Sequence, residues 1–383
     1  MNLSEKDKLF VWHPYTHIQS SGKNIPIVRG VGTYLFDEKG KKYIDAISSW
    51  WTNLHGHAHP YIAKKISDQA KKLEHVLFAG FTHKPAVELA ERLLKKLPDN
   101  QKRIFYSDNG STAVEVALKM SFQYGFNKGQ KRTKVIAFKN AYHGDTFGSM
   151  AASGRSIFTK PFDDLLFEVF FIDPPVLGSE KRTLRQFKLA TSNPSGIACF
   201  IFEPLLHGTA GMVMHASGAL SELIRLCNRN TVLTIADEGM TGFFRTGKFF
   251  ASDYLENKAD IFCLSKGITG GAMAMGVTSC TSTVFDAFAS SDKTKTFYHG
   301  HSYTANPLAC AAALANLELL DKKETTKNIT RICKRNIEFV LKIAGMKQIS
   351  HARCFGTIMA IEIKTREKPT YTSSIRDKAY TYF

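Results

Sequence analysis

The chain has 383 residues, 44% of them hydrophobic and 22% charged, and a formal net charge of +17; this length exceeds what one hydrophobic core usually serves and predicts two domains of ordinary globular composition. The 51 basic residues are dispersed through segments such as KGQKRTK and KRTLRQFK, so a generally basic surface is read in place of a nucleic-acid site. No apolar run approaches membrane-spanning length, the start MNLSEKDKLF has no apolar signal core, and seven scattered cysteines without a CxxC pair point to reduced thiols in a cytoplasm.

An aromatic-rich entry, WHPYT (12–16), precedes TYLFDEKGKKYIDA (33–46), which reads as a hairpin turning at Glu38–Gly40. RIFYSD (103–108) predicts a strand that leads into the helical STAVEVALKMSFQYG. KVIAFKN (134–140), GIACFIFEP (196–204), TVLTIADE (231–238), DIFCLSK (260–266) and GVTSCTS (276–282) predict further strands, separated mostly by helix-length segments. Strands this apolar read as a largely parallel sheet covered on both faces, an α/β architecture. From PLACAAALANLELLDKK onward the pattern is helical through ETTKNITRICKRNIEFVLKIAG and ends on a strand, FGTIMAIEIK. The expected division is 1–54 as the N-terminal part of a small domain, 55–305 as a large domain, and 306–383 as the rest of the small one.

Asp108, Glu203, Asp237 and Lys266 all fall at the carboxyl ends of predicted strands, where open α/β sheets bind ligands. Lys266 ends an apolar run and precedes glycine. An arbitrary lysine there would face solvent; a desolvated one is a nucleophile that forms a Schiff base with a carbonyl compound. Gly110 and Ser111 stand between a strand and a helix, where free backbone N–H groups and the helix dipole suit a phosphate, although by itself the stretch, neither a Walker loop nor a GxGxxG, favours an ordinary Ser N-cap. Asp237 ends an apolar strand and needs a cationic or hydrogen-bonding partner, which a protonated heteroaromatic nitrogen supplies. Ring nitrogen, aldehyde and phosphate together are what pyridoxal 5'-phosphate presents to a protein.

These residues lie within blocks that carry a family resemblance: WHPYT (12–16), DAISSWWTNLHGHAHP (45–60), DNGSTAVEVALKM (108–120), NAYHGDTFGSM (140–150), ADEGMTGFFRTGK (237–248), LSKGITGG (264–271) and HGHSYTANPLACAAA (299–313). The sequence resembles the class III aminotransferases of fold type I over almost its whole length. The resemblance implies Lys266 as the Schiff-base lysine, Asp237 as the partner of the pyridine nitrogen, Gly110 and Ser111 at the phosphate, and Tyr142 stacked on the cofactor ring, with Asp145 orienting Tyr142. It implies that His301 and Ser302 reach the phosphate of a neighbouring subunit, hence a homodimer with shared sites. Tyr15, Trp50, Tyr142, Lys266 and Gly300 resemble substrate contacts, and Arg245 is a weaker candidate for steering a substrate carboxylate.

The WHPYT and SSWW blocks point within the family to transfer of an amino group from S-adenosylmethionine to 8-amino-7-oxononanoate in biotin biosynthesis. The alternatives are another class III ω-amino-acid aminotransferase, or a truncated, inactive remnant. No membrane or nucleic-acid partner is expected. His55, His57 and His59 alternate as zinc ligands on a strand do, but the resemblance puts them in a glycine-rich active-site loop, and no metal is expected. Gly239 stands where the family has a branched apolar residue, Phe244 where it has a glycine, and His207 where it has a glutamine. These departures predict weaker packing on the cofactor ring and a strained loop. The sequence ends at Phe383, before the family's arginine that holds the oxononanoate carboxylate, so the chain as given is expected to complete the donor half-reaction better than the second.

Overall fold

The computed structural model describes residues 1–19 and 22–365 of the chain; the sequence reading of 366–383 as part of the small domain lies outside the described residues. Three short antiparallel strands come first: β1 (Ile27–Val31), β2 (Tyr34–Asp37) and β3 (Lys42–Ile44). The β2–β3 hairpin turns where the sequence places it. Gly40 adopts φ +81°, and the Asp37 carboxylate accepts from the Lys39 and Lys41 amides, closing the turn.

The central sheet contains β4 (Gln101–Ser107), β5 (Lys134–Phe138), β6 (Val169–Ile172) and β7 (Ile197–Phe202). A two-residue ribbon, β8 (Leu206–His207) with β9 (Val213–Met214), leads on to β10 (Leu233–Asp237), β11 (Ile261–Leu264) and β12 (Gly276–Thr281). The seven central strands lie in the order β4–β12–β11–β10–β7–β5–β6. Pairings are parallel except the two made by β12.

Side chains alternate across this sheet with period two. Val135, Ala137, Cys199 and Ile201 pack under the helix Gly110–Asn127. Ile136, Phe138, Phe200 and Phe202 point to the other face, against residues of the helices Lys84–Lys96 and Ser217–Arg229. Every residue of β7 and β11 is buried, which is why these strands read as unbroken apolar runs. Phe200 meets Phe138 and Phe187 edge-on at 5.2 and 5.5 Å between ring centroids; each such side chain is worth about 1.5–3 kcal/mol of burial.

The helices Pro307–Leu320 and Lys323–Ile343 are where the sequence predicts them, and β14 (Ile358–Ile363) follows. Five strands escape the sequence reading: β1, β6, the two-residue β8 and β9, and β13. β6 is a half-buried edge strand, and β13 (Ile349–Phe355), paired antiparallel with β14, mixes histidine and arginine into its run. β13 lacks the apolar continuity that marks β7, whereas β6 is itself a short apolar run, VFFI, that the sequence reading passes over. No helix among the described residues is long and apolar enough to cross a membrane.

Candidate active site

Asp108 and Glu203 directly follow β4 and β7, Asp237 ends β10, and Lys266 stands two residues beyond β11. Those strands share one direction, so the four residues gather along one edge of the sheet. Lys266 takes φ +49°, a left-handed conformation that costs a non-glycine residue about 1–2 kcal/mol. Its side chain is half-buried, and its ammonium has no hydrogen bond or ion pair among the described residues.

Around it lie other unengaged polar groups. Asn109 caps the helix Gly110–Asn127 by accepting from the Thr112 amide, while the Gly110 and Ser111 amides precede the first intrahelical bond. The Ser265 hydroxyl is buried without a partner. A Cβ at Gly110 would fall 2.6 Å from Ser265 Oγ, so glycine permits this close approach. Free helix-start amides, an unpaired hydroxyl, an unengaged amine and a strand-end carboxylate form a donor set that fits pyridoxal phosphate at its phosphate, aldehyde and ring nitrogen.

Asp237 is held on both oxygens. His143 Nδ1 lies 2.8 Å from Oδ2, and the Gly239 amide donates to Oδ1 at 3.0 Å. The His143 side chain is fully buried. This partner is absent from the sequence reading, although it directly follows Tyr142 and a buried carboxylate demands one. A Cβ at Gly239 would come within 2.9 Å of Asp237 Oδ1 and 3.0 Å of Ser265 Oγ. The family's branched residue at this position therefore requires a shift of one of those groups. Glu203 is fully buried and accepts from the Tyr142 and Gly208 amides; desolvation pushes it up to about 7, with His143 opposing the shift.

On the opposite side of Tyr142 is a cluster of hydroxyls. Tyr142 donates to Asp145 Oδ2 at 3.0 Å, Tyr15 donates to the same oxygen, and the two phenols are 3.2 Å apart. Burial and the Tyr15 hydrogen bond hold the Tyr142 phenol well above its ordinary range. Tyr15 also meets Trp50 edge-on at 5.8 Å. Tyr15, Trp50, Tyr142 and Asp145, far apart in sequence, thus share one surface, and Trp50 is more than half exposed there.

Trp50 reaches that surface on a left-handed turn in which Ser48, Ser49, Trp50 and Trp51 have φ of 50°, 48°, 61° and 70°. Asp45 accepts from the Ser49 amide and hydroxyl. Arg245 donates through Nη2 to the carbonyls of Trp51 and Asn53, at 3.0 and 2.7 Å. This guanidinium is buried, and desolvation pushes its pKa down to about 10 against the pull of Asp45. It lines a separate cleft with Asp45, His57, Ile329 and Thr357. Nη2 of Arg245 thus anchors the backbone of the Trp50 turn, while its Nε is buried without a partner among the described residues.

Phe244 adopts φ +68°, so the loop carries backbone strain where the family has glycine. Its ring packs on Phe249 at 5.1 Å. His55 pairs with Asn316 and His57 with Asp45 and Asn53, so the alternating histidines are tied to different neighbours. Gly300 and Ser302 are exposed. Among the described residues no hydrogen bond or ring contact joins Gly300, His301 or Ser302 to Ser111 or Lys266 of the same chain.

Comparison with known proteins agrees with this geometry. The family description "Aminotransferase class-III" matches residues 17–380. The adenosylmethionine-8-amino-7-oxononanoate aminotransferase of Synechococcus elongatus is 47% identical over 318 residues, 81% of this chain and 75% of the relative. The crystal structure of the enzyme of that name from Methanocaldococcus jannaschii superposes with a TM-score of 0.90 at 37% identity, covering 94% of this chain and 84% of its own. An amine transaminase from an uncultivated Pseudomonas species, solved in its pyridoxal-phosphate-bound form, gives a TM-score of 0.87 at 29% identity, covering 92% and 84%. The chain belongs to the class III aminotransferase family.

Proposed function

We propose that the chain transfers the amino group of S-adenosylmethionine to 8-amino-7-oxononanoate, giving 7,8-diaminononanoate in biotin biosynthesis, with pyridoxal 5'-phosphate as cofactor. The observation that carries the reaction class is the unengaged Lys266 amine beside Asp237 and the open helix start at Gly110. The choice of substrates rests on the relatives named for that reaction, of which one reaches 47% identity. The alternative, an aminotransferase for ω-amino acids, draws on more distant structural likenesses such as the 29% identical amine transaminase.

When bound, the cofactor supplies a carbonyl that takes up amines and a ring that withdraws electrons from the carbon being deprotonated. Lys266 Nζ is the covalent anchor and afterwards the group that carries the proton. The Asp237 carboxylate, oriented by His143 and the Gly239 amide, would accept a hydrogen bond from the ring nitrogen and stabilise its protonated form. The Gly110 and Ser111 amides would hold the phosphate, and Tyr142 would cover the ring. Tyr15, Trp50 and Gly300 contact substrate on the far side, while Arg245 keeps the Trp50 turn in place.

A homodimer completes this site, with His301 and Ser302 reaching the partner's phosphate. In support, the segment around His75 packs on the 299–306 loop through Tyr303, at 5.0 Å between rings. Leu77, Phe81, Tyr298 and Tyr303 there are all exposed, an apolar patch suited to a partner. A cytoplasmic location is consistent with seven unpaired cysteines, five of them buried.

The test is borohydride reduction of the protein with pyridoxal phosphate, followed by peptide mapping, alongside an assay for diaminononanoate from the two substrates. The label is expected on Lys266 and is lost in Lys266→Ala. Label on another lysine overturns the site, and label on Lys266 with turnover of ω-amino acids alone overturns the substrate assignment.

A further inference from the structure

Behind Asp237 lies a run of buried imidazoles that the proposed reaction leaves without a task. His207 ends β8, and His215 follows β9 across the same two-residue ribbon. Their rings meet edge-on at 4.2 Å between centroids, and both lie against Phe138 at 5.6 and 5.3 Å. His207 is completely buried and His215 is 9% exposed. All four of their ring nitrogens lack a protein partner, as does Nε2 of the buried His143.

Glu203 joins these elements. One of its carboxylate oxygens accepts from the amide of Gly208, next to His207, and the other from the amide of Tyr142, next to His143. Burial holds the His207 imidazole well below its ordinary range, and the neighbouring His215 and His143 act in the same sense. Buried ring nitrogens are almost always hydrogen-bonded, and where protein atoms do not serve, internal water does, provided each water finds several polar partners. Five such nitrogens, on segments that Glu203 ties together, supply those partners.

We propose that His207 and His215 hold internal water against Nε2 of His143, and that this relay fixes His143 as the tautomer that donates from Nδ1 to Asp237. This inference rests on the reading of Asp237 as the partner of the cofactor nitrogen. An imidazole that donates at Nδ1 and accepts at Nε2 is neutral and leaves the Asp237 charge uncompensated for the pyridinium. Protonation at Nε2 makes His143 a cation, which takes up part of that charge. Two neutral imidazoles, each with one N–H and one free lone pair, can direct a water proton toward Nε2. Glu203, when ionised, pulls the other way by favouring the cation, and burial restrains it. The titratable groups facing His143 in this account are therefore Asp237, Glu203, His207 and, through His207, His215. His207 is a positioning residue.

The test uses full-length protein with 15N-labelled histidine, observed by long-range proton–nitrogen correlation before and after loading with pyridoxal phosphate. His143 signals are assigned by their loss in His143→Gln. The wild type is expected to show Nδ1 protonated and Nε2 as an acceptor at pH 7.5. His207→Leu is expected to lower the ratio of the acceptor to the protonated form at Nε2 about fivefold or more, the worth of one net hydrogen bond. His207→Gln is expected to keep the wild-type pattern. A wild-type His143 already protonated at Nε2 overturns the proposal, as does a His207→Leu spectrum unchanged at His143. Where His207→Leu does not fold, the wild-type and His207→Gln spectra still decide. Failure of the cofactor reading shows separately, as absence of borohydride label on Lys266.

Discussion

Asn316 holds the backbone of Ile268 in place. From the helix Pro307–Leu320 it donates through Nδ2 to the carbonyls of Gly267 and Ile268, at 3.0 and 2.9 Å, and its Oδ1 faces His55 Nε2 at 2.8 Å. Gly267 and Ile268 directly follow Lys266, so a helix distant in sequence fixes the turn on which the Lys266 amine sits. Asn316 is fully buried, and nothing replaces its bonds when it is removed.

Asn316→Leu is therefore expected to leave two carbonyls and one imidazole unsatisfied, at about 1–3 kcal/mol each before relaxation. Denaturant unfolding is expected to show a loss of about 3 kcal/mol or more. A change below half a kcal/mol, which surface substitutions give, would show that Asn316 does not secure the Lys266 turn.

Arg245→Leu tests the anchoring of the Trp50 turn. The four left-handed residues at Ser48–Trp51 are strained, and the Arg245 bonds to the Trp51 and Asn53 carbonyls help hold them. Substitution removes a costly buried cation but frees the turn, and the freed carbonyls and lost charge-assisted bonds dominate. The expected loss is about 2–3 kcal/mol, with Trp50 fluorescence shifted and the KM for substrate raised more than kcat is lowered. An unchanged Trp50 environment with a lost carboxylate-substrate preference would instead favour the steering role that the sequence suggests.

What the sequence made legible follows from how local each signal is. β7 and β11 are buried on both faces, so the apolar requirement is written into consecutive residues. The polar strand ends stand out against those runs, and the family blocks add roles for Lys266, Asp237 and Tyr142. The partners of these residues are not local. His143 meets Asp237 across 94 positions, and Arg245 reaches Trp51 across 194. No periodicity encodes such pairings. The left-handed SSWW turn is equally hidden, because serine and tryptophan do not signal positive φ as glycine does. β13 escaped for the same reason in reverse: its half-exposed positions accept polar residues and blur the strand pattern.

Stability against pH should show two opposed sets of buried groups. Burial raises Glu203 to about 7 and Glu238 to about 6 from 4.5, so their contribution is complete below 4.5 and is lost as pH rises through those values. Burial lowers His215 from 6.5 to about 3 and lowers His207 in the same sense. The histidines contribute fully above 6.5 and lose that contribution as pH falls. Between 4.5 and 6.5 the two sets offset one another; below 4.5 the histidines act alone. His215→Phe is expected to flatten the acid limb by one proton, about 1.4 kcal/mol per pH unit, measured by urea unfolding between pH 3.5 and 7. An acid limb of unchanged slope would mean that His215 is not held neutral.

The shared-site reading predicts a specific result for mixed dimers. On that reading Ser302→Ala would impair a phosphate contact that a chain lends to its partner, whereas Lys266→Ala would remove an amine that a chain keeps for itself. If Ser302 crosses the interface, a dimer of one chain of each kind has both lesions in one site and neither in the other. Two-fold symmetry then gives each mixed dimer about half the activity of a wild-type dimer, although the Lys266→Ala homodimer has none. If Ser302 serves its own chain, the same dimer has one lesion in each site, and no site of wild-type activity arises. Differently tagged chains, exchanged and purified through both tags, separate the two outcomes. Mixed dimers no more active than the Ser302→Ala parent would place the phosphate contact within a single chain.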